Sequence, residues 1–269
     1  MLVWVVALHC EAKPVIDYYG LKKSASHHAF DVYLKDNIHC IISGIGKTAA
    51  AAATAWIAGL NRHKHPIAWI NLGTAGSSAH SMGAAVSIFK ISDSDSNRNF
   101  YPVPIFDSGL EPAHCHTLGK PSIDYRPDQI FDMEASAFFE VATRFSSAEL
   151  VQCLKIISDT PVQQTGRDKS RISELINRHI VELAGFAQSL ENLANQVGRL
   201  EIGESDWEKI LGCAHFTQTQ QSRLGKSLRF LLSQPGQTNA LITELANLGS
   251  ADMIIAHLES LCHQQTLTL

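Results

Sequence analysis

Apolar and polar positions divide the chain into two parts that meet near residue 165. In the first part, four apolar runs have the length of buried strands: residues 2–8, 66–73, 84–91 and 150–159. Residues 29–35 and 38–43 flank Lys35-Asp36-Asn37 and predict a hairpin. The alanine-rich residues 49–60 predict a helix, and the segment FDME predicts a short strand that leads into a helix ending near residue 145. Strands that alternate with helices and are apolar on both faces predict an α/β fold with a parallel or mixed sheet.

The second part has a helical pattern only. Apolar residues recur at spacings of three and four from Ile172 to Val197, which predicts one long amphipathic helix. From residue 204 onward the pattern predicts three or four shorter helices, broken at Gly203, Pro235-Gly236 and Gly249-Ser250. The polar, proline-containing residues 92–128 predict a loop within the first part. We therefore predict an α/β domain at 1–165 and a helical C-terminal region at 166–269.

Composition excludes several classes of protein. The net charge is −4 with the histidines neutral, which is not basic enough for nucleic acid to be the main partner. The first apolar run has no cationic region before it and no small-residue cleavage site, and it does not resemble a signal peptide. No segment approaches the ~18–20 apolar residues of a membrane helix. Six scattered cysteines without a CxxC pair predict free thiols in a reducing cytosol. We expect a cytoplasmic protein without a membrane partner.

Two glycine-containing segments are candidates for ligand binding. The sequence from Ser43 to Thr48, SGIGKT, lacks the glycine that a P-loop needs five residues before Gly46. Its glycines fit either a tight turn or backbone N–H groups that face an anion or a sugar. The segment from Asn71 to Ser78 follows the carboxyl end of a predicted strand, where open α/β sheets bind ligands, although a flexible loop fits this composition equally.

A metal site is not predicted. His114-Cys115-His116 offers metal-ligating side chains, but a metal site needs three or four ligands and no second cluster accompanies this one.

Three carboxylates form the strongest candidate for catalytic chemistry. Glu11, Glu134 and Asp159 each follow a predicted strand beside apolar residues, and the topology allows them to converge at one edge of the sheet. Each of them alone fits a helix cap or a salt bridge. Together they predict a site in which burial raises the pKa of at least one carboxyl group for acid–base work.

Five segments resemble, in their order, the motifs of the nucleoside phosphorylase/nucleosidase superfamily. They are Ala7-Leu8-His9-Cys10-Glu11, Ser43-Gly44-Ile45-Gly46-Lys47, Asn71-Leu72-Gly73-Thr74-Ala75-Gly76, Asp132-Met133-Glu134-Ala135 and Ile157-Ser158-Asp159-Thr160. The resemblance is greatest to the 5′-methylthioadenosine/S-adenosylhomocysteine nucleosidase branch, which includes futalosine hydrolase-like enzymes. It implies a three-layer α/β sandwich around a mixed sheet, to which the C-terminal helices are an addition that the compact members lack.

The resemblance also implies roles for the residues of these motifs. Glu134 would hold the ribose hydroxyls with Met133 packed against the sugar, Glu11 would activate a water molecule, and Asp159 would hydrogen-bond or protonate the purine at N7. The remaining lining residues would be Ser43, Gly44, Gly73, Thr74, Gly76 and Ser158. One of Phe100, Tyr101 and Phe106 is the candidate to stack on the base. No metal or organic cofactor is implied, and a homo-oligomer, most simply a homodimer, is expected.

The choice between hydrolysis and phosphorolysis depends on cations near the nucleophile. Phosphorylases bind phosphate with arginine, whereas ALHCEAKP and INLGTAGSSAH contain none, and Glu11 would repel phosphate. We therefore predict a nucleosidase that hydrolyses the N-glycosidic bond of a purine nucleoside, possibly 5′-modified. A phosphorylase that recruits Arg98, Arg126 or a partner subunit is the alternative within the superfamily. A nucleoside-binding module without turnover, with the helical region as its working surface, is the alternative of another class.

Overall fold

A computed structural model describes residues 1–26, 29–61, 66–121, 129–165, 168–198, 204–232 and 238–266. The chain forms two compact units, residues 1–194 and 195–269. The boundary predicted near residue 165 lies inside the first unit, because the helical residues that follow it pack on the α/β part. There the Ser173 hydroxyl donates to the Cys10 carbonyl, and His179 Nε2 donates to the Gly83 carbonyl at 2.8 Å.

The first unit contains all ten described strands and five helices. The strands are β1 (Leu2–Val6), β2 (Lys22–Lys23), β3 (Asp31–Lys35), β4 (Ile38–Ile42), β5 (Ala68–Ser77), β6 (Ala85–Asp93), β7 (Asn99–Phe100), β8 (Glu111–Thr117), β9 (Ile130–Asp132) and β10 (Val151–Asp159). The helices are α1 (His9–Tyr19), α2 (Lys47–Leu60), α3 (Ala135–Ala142), α4 (Lys169–Asn177) and α5 (Ile180–Gly198), the last of which extends into the second unit.

The strands form one mixed sheet that closes on itself at one end. β4, β1, β5 and β10 lie side by side and run parallel. β10 also pairs with β6, and the path β6–β8–β9 returns to β5, so that five strands make a closed ring. The antiparallel β3 and β2 form the other edge, and β7 pairs with β6. This mixed sheet with flanking helices confirms the predicted α/β fold class.

Helices cover both faces of the parallel strands because the side chains of β1 alternate between two apolar layers. Val3 and Val5 are in the core that contains α2 and α3 residues such as Ile57 and Phe138. Side chains at alternating positions point to the other face. Trp4 does so, and its ring centroid lies 6.4 Å from that of Tyr19 in α1. A parallel sheet covered in this way places the carboxyl ends of its strands, rather than a face, toward solvent.

The loop predicted at residues 92–128 is wrong in part. β7 and β8 lie within it, and β8 occupies an interior position of the sheet between β6 and β9. Along β8 the buried Ala113, Cys115 and Thr117 alternate with the half-buried His114 and His116. Polar histidines and threonine conceal the period-two pattern of this strand from an analysis based on apolar residues.

The single long helix predicted over residues 172–197 is two helices in the structure. The break between α4 and α5 lies at Arg178 and His179, where the His179 N–H bonds the Ile176 carbonyl three residues earlier. Apolar spacing continues across the break, so the sequence pattern does not reveal it. The strand predicted at 66–73 is also longer than expected, since β5 continues to Ser77.

The second unit is helical in its described part. It contains α6 (Glu204–Gly212), α7 (Gln218–Leu232), α8 (Thr238–Ala246) and α9 (Ala251–Thr266), which share an apolar core that includes Leu224, Leu228 and Leu258. Arg223 on α7 donates to both carboxylate oxygens of Glu259 on α9 at 2.8 and 2.9 Å. Gly249 has a φ of +69° between α8 and α9, where a break was predicted. The breaks predicted at Gly203 and Pro235-Gly236 lie outside the described residues.

Among the helices of the described residues, none combines the length and the hydropathy that a membrane span needs.

Candidate active site

The carboxyl ends of the parallel strands open into a cavity of about 320 Å³. This volume is at the lower end of the range typical of small-molecule sites. Seven of the residues predicted for the site line it: Glu11, Thr74, Gly76, Met133, Glu134, Ser158 and Asp159. The structure therefore brings the three carboxylates together, although 148 positions separate the first from the last in sequence (159 minus 11).

Glu11 is held rigidly at the base of this cavity. Its side chain is 3% exposed, and its Oε1 accepts the Thr74 N–H at 2.8 Å and the Thr74 hydroxyl at 2.7 Å. Its Oε2 accepts the Leu8 N–H at 3.0 Å, which caps α1. Burial raises the pKa of Glu11, and the bonds from Thr74 oppose this shift. A carboxylate can accept about four hydrogen bonds, so one acceptor position on Oε2 is open to a ligand within the described structure.

Glu134 connects the FDME segment to the glycine turn that precedes α2. Its Oε1 accepts the Gly46 N–H at 2.7 Å, and Gly46 has a φ of +98°, which favours glycine. Glu134 is 8% exposed, and burial together with the nearby Asp132 charge raises its pKa to about 7. The prediction that burial raises the pKa of at least one of the three carboxyl groups is thus confirmed for Glu11 and Glu134.

A buried ion pair that the sequence analysis missed lies close to both glutamates. Lys155 Nζ is 2.8 Å from Asp132 Oδ2 and donates to Asn71 Oδ1, also at 2.8 Å. Burial lowers the pKa of Lys155, but the Asp132 and Glu134 charges outweigh it and raise the pKa overall. A Cβ at Gly73 would lie 3.4 Å from Lys155 Nζ and 3.5 Å from Glu11 Oε1, so both charged groups lie within van der Waals range of β5 at this residue.

Asp132 holds the start of α3 in place, in addition to its ion pair with Lys155. Its Oδ2 accepts the Ala135 N–H at 2.7 Å, and its Oδ1 accepts the Thr117 hydroxyl at 2.7 Å. Burial acts to raise the pKa of Asp132, but Lys155 and these donors lower it overall, which keeps the carboxylate ionised. One signal in the sequence could have found the pair. Lys155 is the one charged residue of β10 before its terminal Asp159, and a charge within a buried strand needs a buried partner.

A β-bulge in β10 presents Asp159 to the cavity. Ile157 pairs with Ala75 and Asp159 pairs with Gly76, so Ser158 is the extra residue between them. Consecutive side chains of a regular strand point to opposite faces, whereas here Ser158 and Asp159 both line the cavity. The Asp159 carboxylate accepts the Ser158 hydroxyl at 2.6 Å and the Thr165 N–H at 2.9 Å, which fixes its orientation.

Ser43, Gly44 and Gly73 lie beside the cavity but are not among its lining residues. The Ser43 N–H bonds the Val6 carbonyl at 2.8 Å, and the Gly44 N–H bonds the Ala7 carbonyl at 3.1 Å. These bonds continue the pairing of β1 and β4 beyond the strand ends. In the described structure the three residues shape the backbone around the site.

Lys47 of the SGIGKT segment is neutralised by two carboxylates. Its Nζ lies 2.9 Å from Asp93 Oδ2 and also contacts Asp95. Burial acts to raise the pKa of Asp93, but the Ser136 hydroxyl, backbone N–H groups and Lys47 lower it overall. A lysine engaged in this way does not serve as a phosphate ligand.

His114, Cys115 and His116 are strand residues of β8 with other partners. His114 Nε2 lies 2.8 Å from the Ser92 hydroxyl, and the Cys115 thiol contacts Asp132 Oδ1 at 3.3 Å. Across the described ranges, no three His, Cys, Asp or Glu side chains converge as metal ligands do.

The aromatic side chain of the cavity differs from the candidates named in the sequence analysis. The Phe100 ring centroid lies 6.0 Å from that of Phe139, and the Phe106 centroid lies 4.9 Å from that of Phe186. Neither these two nor Tyr101 lines the cavity, whereas Phe131 does. Phe131 was overlooked because it belongs to an apolar segment that the pattern assigns to the core.

Structural comparison finds solved nucleosidases with this arrangement of strands and helices. A 5′-methylthioadenosine/S-adenosylhomocysteine (MTA/SAH) nucleosidase superimposes with a TM-score of 0.55 at 18% identity, over 70% of this chain and 95% of the other. The Arabidopsis thaliana 5′-methylthioadenosine nucleosidase gives 0.52 at 19% identity, over 72% and 95%. The chain has the nucleosidase fold.

A third match was solved with a ligand. The S. pneumoniae MTA/SAH nucleosidase, in complex with the transition-state inhibitor MT-ImmA, superimposes with a TM-score of 0.54 at 16% identity, over 71% of this chain and 100% of the other. No family model and no curated protein sequence matches the chain. The predicted resemblance is confirmed by structure, at the level of the nucleosidase fold.

Proposed function

We propose that this protein is a nucleosidase that hydrolyses the N-glycosidic bond of a purine nucleoside. The observation that carries the proposal is the convergence of Glu11, Glu134 and Asp159 on one cavity of the nucleosidase fold. A purely structural role explains each carboxylate in part, since Glu11 caps α1 and Glu134 bonds the glycine turn. It does not explain why two glutamates with raised pKa values and a bulge-presented aspartate share one solvent-accessible cavity.

We assign the binding of the sugar hydroxyls to Glu134. Oε1 of this residue is occupied by the Gly46 N–H, and Oε2 has no hydrogen-bond partner among the described residues. With a pKa raised to about 7, Glu134 is partly ionised at neutral pH, and its ionised form makes strong, charge-assisted bonds with hydroxyl groups that fix the orientation of the ring. Met133, which also lines the cavity, supplies an apolar contact to the sugar. Glu134 is the residue that positions C1′ for attack.

In this proposal the nucleophile is a water molecule that is hydrogen-bonded to Glu11. The raised pKa makes this carboxylate a stronger base than an ordinary glutamate, and Thr74 fixes its orientation. Water attacks C1′ and gives its proton to Glu11, while the C1′–N9 electron pair moves into the purine. Asp159 delivers a proton to N7, so that the base leaves neutral and the sugar gains a hydroxyl group. The reaction passes through an oxocarbenium-like state, which nearby carboxylates stabilise.

Phosphorolysis remains the second candidate because, among the described residues, one cation lines the cavity. Lys120 is exposed at this position, and an ammonium group can bind phosphate as a point charge. Arg98, named in the sequence analysis as a candidate, instead donates to Glu140 at 2.6 Å, and Arg126 lies outside the described residues. Hydrolysis is favoured since Glu11 occupies the nucleophile position and repels an anion.

Base release from a panel of nucleosides tests both candidates. The panel contains methylthioadenosine, adenosylhomocysteine, 5′-deoxyadenosine, inosine and futalosine, each with and without phosphate. We expect free base and free sugar in the absence of phosphate. Release only with phosphate, giving the sugar phosphate, would establish the phosphorylase. Binding without cleavage of any nucleoside would favour the binding module.

The cytoplasmic location and the homodimer remain predictions. Light scattering of the purified protein measures the oligomeric state, and fractionation of the source cells measures the location.

A further inference from the structure

A second cavity, of about 390 Å³, adjoins the candidate active site. Leu8 lines both cavities, and Glu11 Oε2 holds the Leu8 backbone N–H at 3.0 Å. The other lining residues come from the first turns of α1 and α4, and they include His9, Lys13, Lys169, Ser170 and Ser173. The Ser173 hydroxyl donates to the Cys10 carbonyl and joins the two helices at this point.

The charges around this second cavity are positive. Lys13 and Lys169 line it, and no carboxylate is among the described residues that do so. Lys13 also pairs with the exposed Asp17 at 2.5 Å, and Asp168, beside Lys169, caps α4 by accepting the Arg171 N–H at 3.0 Å. The Lys169 charge reaches the buried Cys10 thiol, where it opposes the rise in pKa that burial and Glu11 cause.

The second cavity continues from the end of the first that would receive the 5′ group. In the proposed function, Asp159 holds the base and Glu134 the sugar hydroxyls. Of the remaining walls, the one formed by Ala7, Leu8 and Ile45 is the one that Leu8 shares with the second cavity, and we assign it to C5′ and its substituent. This wall is apolar, and beyond Leu8 the surface becomes cationic. A substituent that passes Leu8 therefore moves from an apolar to a cationic environment.

From this arrangement we infer that the protein selects nucleosides whose 5′ substituent ends in an anionic group, which Lys169 and Lys13 bind in the second cavity. The inference rests on the proposed function. Two lysines and the Ser170 hydroxyl supply donors to an anion, and an anion costs less to desolvate beside cations. The protein also selects the substituent by its length, because the apolar wall fixes the distance between C1′ and the lysines that bind the anion.

Matched substrates and variants test this inference. The substrates are 5′-(3-carboxypropyl)thio-5′-deoxyadenosine, its uncharged amide, and methylthioadenosine, with adenosine 5′-monophosphate as a short phosphate-bearing anion. The variants are Lys169→Met and Lys13→Met. Lys226→Met, at an exposed lysine of α7 that lines neither cavity, is the control with the same change of charge. The quantity measured is kcat/KM for each substrate at low and high salt.

We expect the carboxylate to be preferred over its amide, and Lys169→Met to reduce this preference roughly three- to five-fold through KM. High salt should reduce it as well, because the lysines are exposed. Methylthioadenosine should be hydrolysed equally by all four proteins. A preference for the monophosphate instead would overturn the inferred distance between the anion site and C1′. Equal kcat/KM for the carboxylate and its amide would overturn the inference but not the proposed nucleosidase activity.

Failure of the proposed function gives a different result. If no substrate is cleaved, titration calorimetry with the carboxylated nucleoside and its amide decides the matter. Salt-sensitive binding of the carboxylate that weakens in Lys169→Met supports the cationic cavity without the chemistry. Equal binding of the two compounds overturns the inference.

Discussion

The Lys155 ammonium lies 2.8 Å from the Asp132 carboxylate, and the two side chains are 1% and 0% exposed. The pair connects β10 and β9 across the closed ring of strands, where it also orders Asn71 and the start of α3. Buried pairs of this kind contribute little net stability relative to apolar side chains, but loss of one partner leaves an uncompensated charge. The pair therefore makes the geometry around Glu11 and Glu134 depend on a single interaction.

Lys155→Met should lower the free energy of unfolding by about 3–5 kcal/mol. Addition of Asp132→Asn should restore part of the loss, since asparagine retains the hydrogen bonds to α3 without the charge. Urea unfolding followed by the fluorescence of the buried Trp4 and Trp69 measures both effects. Lys13→Met, at an exposed pair in the same unit, is the control and should cost less than about 1 kcal/mol. Equal costs for the two lysines would contradict a charged pair in the core.

Glu134 should make stability depend on pH. Burial and the Asp132 charge raise its pKa from 4.5 to about 7, so the native state keeps a proton that the unfolded chain releases within this window. The native state then binds more protons than the unfolded state, and stability falls as pH rises from about 4.5 to about 7, on the order of 2 kcal/mol. Unfolding of Glu134→Gln across this range should show a smaller slope. The slope that remains should have the same sign, because the pKa of Glu11 is also raised.

Glu174→Gln is the matched control for this measurement. Glu174 is exposed on α4 and pairs with Arg178 at 2.6 Å. Its replacement should leave the pH slope of the unmodified protein unchanged. A slope that survives intact in Glu134→Gln would assign the proton to another group.

Much of the sheet could be predicted because its parallel strands are buried on both faces. β1 is apolar throughout and β10 is mostly apolar, and their carboxyl ends locate Glu11 and Asp159. The clustering of these residues follows from the strand order alone, since parallel neighbours end at the same edge. The rest depends on partners that are remote in sequence. Lys155 pairs with Asp132 through the closed ring of strands, and no local pattern encodes this pairing.

Two other features were concealed by the composition of short segments. β8 pairs with β6 and β9 although histidines occupy alternate positions, so a scale that counts histidine as polar assigns it to a loop. The bulge at Ser158 depends on how β10 pairs with β5 beyond Ile157. The predicted roles of Ser43, Gly44 and Gly73 as lining residues rested on motif order, which does not distinguish a lining residue from one that shapes the backbone beside it.

Glu11→Gln should lower kcat for hydrolysis by roughly 10²–10⁴-fold, the range for loss of a general base. The glutamine oxygen can still accept both bonds from Thr74, while its amide group faces the Leu8 N–H in place of an acceptor. This donor–donor contact should lower the free energy of unfolding by about 1–3 kcal/mol. Thermal unfolding measures that loss separately from the loss of kcat. Thr74→Val removes only the hydroxyl that orients Glu11 and should cause a much smaller loss of kcat. Equal losses in the two variants would contradict the assignment of Glu11 as the base.

Asp159→Asn should greatly reduce turnover and leave nucleoside binding intact. Asparagine is nearly isosteric, and its oxygen can accept the Thr165 N–H while its amide donates to the Ser158 oxygen, so the loop after β10 keeps its position. It cannot deliver a proton to the leaving purine, which costs roughly 10²–10⁴-fold in kcat. Single-turnover kinetics and calorimetric binding of the same nucleoside separate the two effects. Ser158→Ala removes the hydroxyl that orients Asp159 and should reduce kcat by less. Turnover in Asp159→Asn at the rate of the unmodified protein would eliminate Asp159 as the acid.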